Sequence, residues 1–288
     1  MDFIIGLLPA VGWGLQPLAV RKIGGEPVNQ LFGTNLGAFL VGIILFLIMR
    51  PEIDINLFLL CFFSGASHAI GLMLQYKSFT YISLSRAMPL TTGMQLIGNS
   101  MSGVLIFGEW SGVHAKMVGA AAIALIIIGV VLTTYTENKK KESGSSGNMK
   151  KAVLLLLLST LGFVGYSALP RFSAADGWAK YPPQSLGMFF AAVLFVIFIT
   201  KGKGFTQKVS YMNLVAGLFF AFACIMYLIS VSLNGLASGF AISQMLVVIS
   251  TFGSIIFLKE RKTKRELLFV TIGLIMVVAG GVGISLGT

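Results

Sequence analysis

The amino-acid sequence repeats itself after about 150 residues, and this repeat limits the folds that are open to the chain. Gly12-Trp13 matches Gly162-Phe163, and Gln95 matches Gln244. Two copies of one unit in tandem are typical of secondary transporters, which hold their substrate between the halves near the bilayer midplane. Further matches are Asn35-Leu36-Gly37 with Ser185-Leu186-Gly187, Ser83-Leu84 with Ser232-Leu233, Ile106-Phe107 with Ile256-Phe257, and Glu109 with Glu260.

Apolar residues fill each copy in long uninterrupted stretches. Hydrophobic residues make up 56% of the chain and charged residues 11%, with a mean hydropathy of +0.89, which excludes an ordinary soluble domain. A helix of about 20 apolar residues crosses the roughly 30 Å hydrocarbon core of a bilayer. The sequence therefore predicts an all-α polytopic membrane protein with ten spans. These spans are 2–21, 28–49, 55–80, 87–108, 113–135, 151–170, 182–200, 210–233, 236–258 and 266–286.

The positive charge is distributed unevenly between the two sides that this topology creates. Of the 21 Lys and Arg residues, 17 fall in the loops of one side and 4 in those of the other. The charge-rich side is expected to be cytoplasmic, which places both termini outside. This uneven distribution explains the net charge of +11 as a feature of membrane topology, and it argues against nucleic-acid binding.

Five helices per copy is an odd number, so the second copy is expected to be inserted upside down relative to the first. Residues 1–136 form the first five-helix repeat and residues 151–288 the second. The segment 137–150 contains Gly, Ser and charged residues in place of an apolar stretch. We predict a flexible cytoplasmic linker there.

Polar side chains follow one face of the predicted fourth helix. Thr92, Gln95, Asn99 and Ser102 are spaced 3, 4 and 3 residues apart, which lays them in one stripe. Amides and hydroxyls both donate and accept hydrogen bonds, as a neutral polyhydroxyl ligand requires. Such residues either line a substrate path or bond neighbouring helices.

A second stripe lies on the predicted third helix, where Ser64, His68, Gly71 and Gln75 are spaced 4, 3 and 4 residues apart. The second copy adds polar candidates to the same site, because Gln244 is the repeat partner of Gln95. Tyr227 on the eighth predicted span is a further candidate.

Aromatic residues occupy equivalent places on the opening helices of the two copies. Trp13 and Phe163 correspond, and Tyr166 follows one turn later. A flat ring facing a cavity can stack on the apolar face of a sugar, although Trp is also a common interfacial anchor. Gly residues flank Trp13, and Gln16 with Pro17 follow it, so we predict a discontinuous helix at this point.

Acidic residues are confined to loops and helix ends, so no carboxylate lies deep in a predicted span. This disfavours a cationic drug as substrate and favours a neutral one. Proton coupling would require His68, whose imidazole titrates near neutral pH, or Glu109 at a helix end. Enzyme motifs, metal-ligand spacings and cofactor signatures are absent from the sequence, so we expect no enzyme activity, metal or cofactor.

The segment Arg86–Ser100 (RAMPLTTGMQLIGNS), with Phe107–Trp110 (FGEW), resembles the signature of the glucose/ribose uptake (GRP) transporters of the drug/metabolite transporter superfamily. The resemblance covers the whole chain and implies ten helices in an inverted repeat that import a sugar across the bacterial plasma membrane, with proton symport. Supporting segments are Pro9–Gly14 (PAVGWG), Gly24–Gln30 (GGEPVNQ), Ser64–Ala66 (SGA), Gly217–Phe222 (GLFFAF), Ser243-Gln244 and Leu258–Arg261 (LKER).

The family pattern, carried over to this chain, implies functional roles for Trp13, Pro89, Thr92, Gln95 and Gln244. One departure stands out after Ser64–Ala66. The resemblance leads us to expect a Trp and, one turn later, a Gln, but this chain has His68 and Leu72. Gln75 then partly replaces the lost amide.

We therefore predict a monosaccharide importer that works by alternating access, with protons as a candidate coupling ion and no required oligomer. The alternatives are an exporter of another metabolite or drug in the same superfamily, and a membrane sensor or partner subunit that transports nothing. The predicted substrate-binding residues are Trp13, Gln16, His68, Gln75, Thr92, Gln95, Asn99, Tyr166, Tyr227 and Gln244.

Overall fold

A computed structural model describes residues 2–110, 112–137, 145–234 and 243–287. The described residues are helical and contain no strand, which confirms the predicted all-α fold. Short 3₁₀ turns follow α6 at Leu169–Phe172 and α7 at Lys203–Thr206. The helices are α1 (Asp2–Ile23), α2 (Pro27–Met49), α3 (Ile55–Ser78), α4 (Leu84–Phe107), α5 (Val113–Thr133), α6 (Ser145–Ala168), α7 (Gly177–Thr200), α8 (Lys208–Met212), α9 (Leu214–Asn234), α10 (Leu246–Phe257) and α11 (Lys264–Gly287).

Eight helical segments of the described chain are long and apolar enough to cross a membrane, with α8 and α9 together supplying one of them. Helix α4 has the length but not the hydropathy, because the polar residues of its predicted stripe dilute its apolar ones. Helix α10 has 12 residues, and residues 235–242 of the predicted ninth span lie outside the described residues. Each of the ten predicted spans thus contains a helix of the described chain.

Residues 138–144 of the predicted linker lie outside the described residues, and helix α6 begins at Ser145, in the last part of that segment. Helix α1 is continuous through Trp13, so the predicted break there is wrong. Its glycines serve close packing instead: a Cβ on Gly12 would lie 2.7 Å from the Phe219 carbonyl oxygen, and one on Gly14 would lie 2.7 Å from Ile249 Cβ.

The core lies between the two halves of the chain, because helices of the first half pack mainly on helices of the second. The contacts occur in reciprocal sets. Helix α1 packs on α9 and α10, and its repeat partner α6 packs on α3 and α4. Helix α2 packs on α7 and α9, α3 on α7, and α5 on α11.

Glycines bring these helices together along their backbones, as is common where helices meet in membranes. A Cβ on Gly162 of α6 would lie 2.7 Å from Gly71 Cα of α3. One on Gly217 of α9 would lie 2.2 Å from the carbonyl oxygen of Thr34 on α2. Neither interface has room for a larger residue at these positions.

Two glutamates define the ends of the bundle. The carboxylate of Glu260, just after α10, accepts hydrogen bonds from the backbone N–H groups of Leu84 (2.8 Å) and Ser85 (3.2 Å) at the start of α4. Glu109 follows the other end of α4, which has 24 residues and is therefore about 36 Å long. We refer to these as the Glu260 end and the Glu109 end.

Candidate functional site

An amide cluster joins α3 to α4 on the Glu260 side of the core. The Thr91 hydroxyl oxygen accepts a hydrogen bond from Gln75 Nε2 at 3.1 Å and another from Gln95 Nε2 at 3.1 Å. Gln75 and Thr91 are buried, whereas Gln95 is half-buried. The structure thus brings together two of the four predicted glutamines, through Thr91, which is adjacent to the predicted Thr92.

A second buried hydrogen-bond network lies beside this cluster. Gln16 Nε2 of α1 donates to the Tyr76 hydroxyl oxygen at 3.0 Å, and that hydroxyl also bonds Thr34 Oγ1 of α2 at 3.1 Å. Tyr76 is 1% exposed and directly follows Gln75 on α3. Three helices of the first half therefore meet at one phenol, which holds the Gln16 amide in place.

His68 lies near the middle of α3 among aromatic rings from the second half. Its ring centroid is 4.7 Å from that of Tyr166, 5.3 Å from that of Phe163 and 4.9 Å from that of Phe220. The side chain is 4% exposed, and Nδ1 has no hydrogen-bond partner among the residues that the structure describes. A buried polar atom in this state is rare and requires an explanation, which a ligand or a transported proton would provide.

Phe220 occupies on α9 a packing position similar to that of His68 on α3. Gly162 packs on Gly71 as Gly12 packs on Ala223, and Phe220 precedes Ala223 by the same number of residues as His68 precedes Gly71. The contact between His68 and Phe220 therefore joins similar packing positions of the two halves at the centre of the core.

Trp13 of α1 contacts Tyr227 of α9, with ring centroids 5.4 Å apart and planes tilted by 48°. Both side chains are half-buried, and Trp13 packs on the apolar cluster that includes Phe220. Tyr166 has a second role through its backbone, because its carbonyl oxygen accepts a hydrogen bond from Ser64 Oγ at 2.7 Å. Of the predicted aromatic residues, Tyr166 contacts His68 directly, whereas Trp13 and Tyr227 contact each other.

The predicted residues form two layers, one aromatic around His68 and one of amides around Thr91. Seven residues of α3 separate His68 from Gln75, which places these layers about 10 Å apart along the helix. Gln244 Nε2 donates to Ser243 Oγ at 3.3 Å, and the Gln244 side chain packs near Gly281 beside α4. Of the other α4 candidates, Thr92 is buried and Asn99 half-buried.

Glu109 lies apart from both layers, at its own end of the bundle. Its carboxylate forms an ion pair with the guanidinium of Arg171, which also stacks over the Phe107 ring at 3.9 Å. Both charged side chains are partly exposed. Among the described residues, no group of three His, Cys, Asp or Glu side chains is arranged to hold a metal ion.

Sequence reasoning missed Tyr76, Thr34 and Phe220 as parts of the site. The repeat contained a signal for one of them, because Tyr76 lies about 150 residues before Tyr227, which we did predict. Thr34 and Phe220 gave no such signal, since Thr34 is one of several polar residues in the first half of α2 and Phe220 is one of several phenylalanines in α9.

Hydrogen-bonded amides of α1, α3 and α4, together with aromatic rings from both halves of the chain, define a polytopic membrane protein with an internal polar site. Comparison with known families is more specific. The model of the family described as "Sugar transport protein" matches residues 4–286. The chain belongs to this family, which confirms the resemblance drawn from the fourth-helix signature.

Similar proteins support the same assignment. The chain is 42% identical over 286 residues to the "Putative ribose uptake protein RbsU" of Latilactobacillus sakei, covering 98% of this chain and 97% of that protein. It is 44% identical to the "Putative sugar uptake protein lmo0169" of Listeria monocytogenes, covering 99% of each. A solved crystal structure at 13% identity shares the fold, with a TM-score of 0.64 over 99% of this chain and 98% of that one.

Proposed function

We propose that this chain is a secondary transporter that imports a monosaccharide of the glucose or ribose class by alternating access. Family membership supports sugar as the cargo, and the relative from L. sakei is named for ribose uptake. The observation that carries the proposal is the pair of glutamines, Gln75 and Gln95, joined by Thr91. Gln75 lies about two turns of α3 from His68, whose Nδ1 has no hydrogen-bond partner among the described residues.

The chemistry of the amide layer suits a polyhydroxyl ligand. Gln75 and Gln95 each donate an amide N–H to the Thr91 hydroxyl oxygen. These bonds use the NH₂ group of each amide, so its carbonyl oxygen can accept a hydrogen bond from a sugar hydroxyl. The ring of Trp13 or Tyr227 provides a surface for stacking, and His68 Nδ1 provides one more hydrogen-bonding atom.

Alternating access requires two halves that move against each other, and we assign these to residues 1–136 and 151–288 as an inverted repeat. The reciprocal packing of α1 and α6 supports this assignment. So does the direction of α10, which ends beside the start of its repeat partner α4. A site between such halves can open to either side in turn.

Coupling to protons is assigned to His68, with Glu109 as the second candidate. His68 lies in the central core with an unpartnered nitrogen, whereas Glu109 is already paired with Arg171. We place the protein in a bacterial plasma membrane with the charge-rich loops in the cytoplasm and both termini outside. Several of these loops meet at the Glu260 end, where Arg86 also bonds Thr136.

The direct test is uptake of radiolabelled ribose and glucose into proteoliposomes, with and without an inward proton gradient. Stimulation by the gradient would support sugar–proton symport. Uptake that ignores the gradient would support uniport and leave His68 as a ligand for a sugar hydroxyl. Empty liposomes provide the background, and an unlabelled pentose and hexose as competitors rank the two classes.

Absence of uptake for both sugars, from protein that is folded and inserted, would contradict the proposal. Thermal unfolding of the purified protein checks the fold, and proteolysis from outside the vesicles checks the orientation.

A further inference from the structure

Glu109 and Glu260 sit in the same local turn at equivalent places in the two copies. The Glu109 N–H donates to the Gly103 carbonyl oxygen at 3.0 Å, and the Glu260 N–H donates to the Ser254 carbonyl oxygen at 3.4 Å. The residue before each glutamate has a left-handed backbone, with φ of 67° at Gly108 and 55° at Lys259. Each carboxylate is therefore presented in the same way, just past the end of α4 or α10.

The partners of the two carboxylates nevertheless differ. Glu109 forms an ion pair with Arg171, which follows α6. Glu260 instead accepts hydrogen bonds from the first backbone N–H groups of α4 and from Ser254 Oγ at 3.2 Å. The same turn therefore presents its carboxylate to a different kind of partner at each end of the bundle.

Arg21 precedes Arg171 by 150 residues in the sequence, and we take the two as counterparts. Arg21 lies in the last turn of α1, and Arg171 lies in the 3₁₀ turn that directly follows α6. Arg21 also lies close to the Glu260 end. Leu18, one turn before Arg21, packs so tightly on α10 that a Cβ on Gly253 would lie 2.4 Å from Leu18 Cδ1. Arg21 is exposed, and no described carboxylate is paired with it.

We infer that Arg21 and Glu260 form the ion pair that closes the Glu260 end in the opposite state of the transport cycle. Glu260 then leaves the start of α4 and takes Arg21 as its partner, while Glu109 releases Arg171. The inference rests on the proposed alternating-access function and adds two positioning pairs to it, neither of which contacts the sugar.

The physical chemistry allows such an exchange to run in both directions. A carboxylate at a helix N-terminus and a partly exposed ion pair are stabilising to a similar, modest degree. Exchanging one for the other therefore leaves the two states close in free energy, as a reversible cycle requires. Since the pairs are partly exposed, breaking one is expected to shift the populations by only about two- to five-fold.

A conformational readout without any sugar tests this directly. Cysteines at Lys22 and Arg261 flank the proposed pair, and a short bis-methanethiosulfonate reagent reports their proximity in membranes. The native Cys61 and Cys224 are buried, and the single variants K22C and R261C control for other products. We expect R171A, which breaks the pair at the far end, to raise the K22C/R261C cross-link about two- to five-fold, and R21A to lower it.

Cross-linking that does not respond to R171A would overturn the inference, because a static contact at one end of the bundle is not affected by an ion pair about 36 Å away.

A charge-reversal experiment tests the same ion pair through uptake. R21E and E260R should each reduce it, and R21E/E260R should recover it to within about three-fold of wild type. A double variant no better than the worse single one would refute the pairing. Failure of the wild-type protein to take up sugar would instead contradict the proposed sugar substrate. The cross-linking result would still decide whether Arg21 and Glu260 form a pair.

Discussion

Replacing Thr91 by Val removes one oxygen and keeps nearly the same shape. That oxygen accepts two hydrogen bonds of 3.1 Å each, one from Gln75 on α3 and one from Gln95 on the same helix. The substitution therefore separates the hydrogen-bonding role of Thr91 from its packing. We expect folded, inserted protein that binds sugar weakly.

The size of the expected increase in KM depends on how well water can reach each amide after Thr91 is replaced by Val. Gln75 is 7% exposed, so its lost bond is expected to cost near the upper value for membrane interiors, about 1.7 kcal/mol. Gln95 is half-buried, so the loss of its hydrogen bond is expected to cost near the average value for membrane interiors, about 0.6 kcal/mol. If both amides owe their positions to Thr91, a total of about 2 kcal/mol raises KM by up to roughly 30-fold.

Initial rates of uptake over a range of sugar concentrations separate KM from the maximal rate. T91S keeps the hydroxyl and is expected to stay within about three-fold of wild-type KM, since the acceptor remains. S100A is the matched control on α4, because the Ser100 hydroxyl donates only to the Leu96 carbonyl oxygen of its own helix. The reasoning is refuted if T91V has wild-type KM, or if S100A raises KM as much.

Three other substitutions test separate parts of the argument. Gln95→Ala should abolish uptake while membrane insertion stays normal by quantitative immunoblotting; unchanged transport would remove Gln95 from the site. His68→Gln keeps a polar side chain but cannot titrate, so uptake should persist without stimulation by a proton gradient, and continued stimulation would exclude the coupling role. Gly217→Ala places a methyl group 2.2 Å from the Thr34 carbonyl oxygen and should lower stability by about 1–3 kcal/mol in thermal unfolding. Gly112, whose added Cβ would meet nothing within 4 Å, is its control, and equal melting of G217A and G112A would contradict the tight crossing.

The local sequence pattern was sufficient to predict those features that depend on one segment alone. The apolar length of each span predicted the helices, and most described boundaries lie within a few residues of the predicted ones. The same local reasoning misjudged α1, because Gly12 and Gly14 look like a helix break only until their neighbours are known. In the fold they are points of close contact with α9 and α10.

The site shows the same division. Helical spacing put Gln75 and Gln95 on polar faces and selected Thr92, but the structure joins the two amides through the adjacent Thr91. Which of the two threonines meets α3 depends on how α4 is rotated in the bundle. The environment of His68 was likewise invisible, since its three ring neighbours come from α6 and α9, far away in the sequence.

By itself, then, the sequence determined the membrane setting, the helical segments and the family, because hydropathy, spacing and a specific motif are properties of contiguous residues. Only the tertiary structure decided which polar groups meet and which ends are paired. Glu109 and Glu260 make this plain: they occupy the same turn in the two copies, yet one binds an arginine and the other a helix start. A partner is set by the position of another helix in space, and contiguous sequence contains no measure of that position.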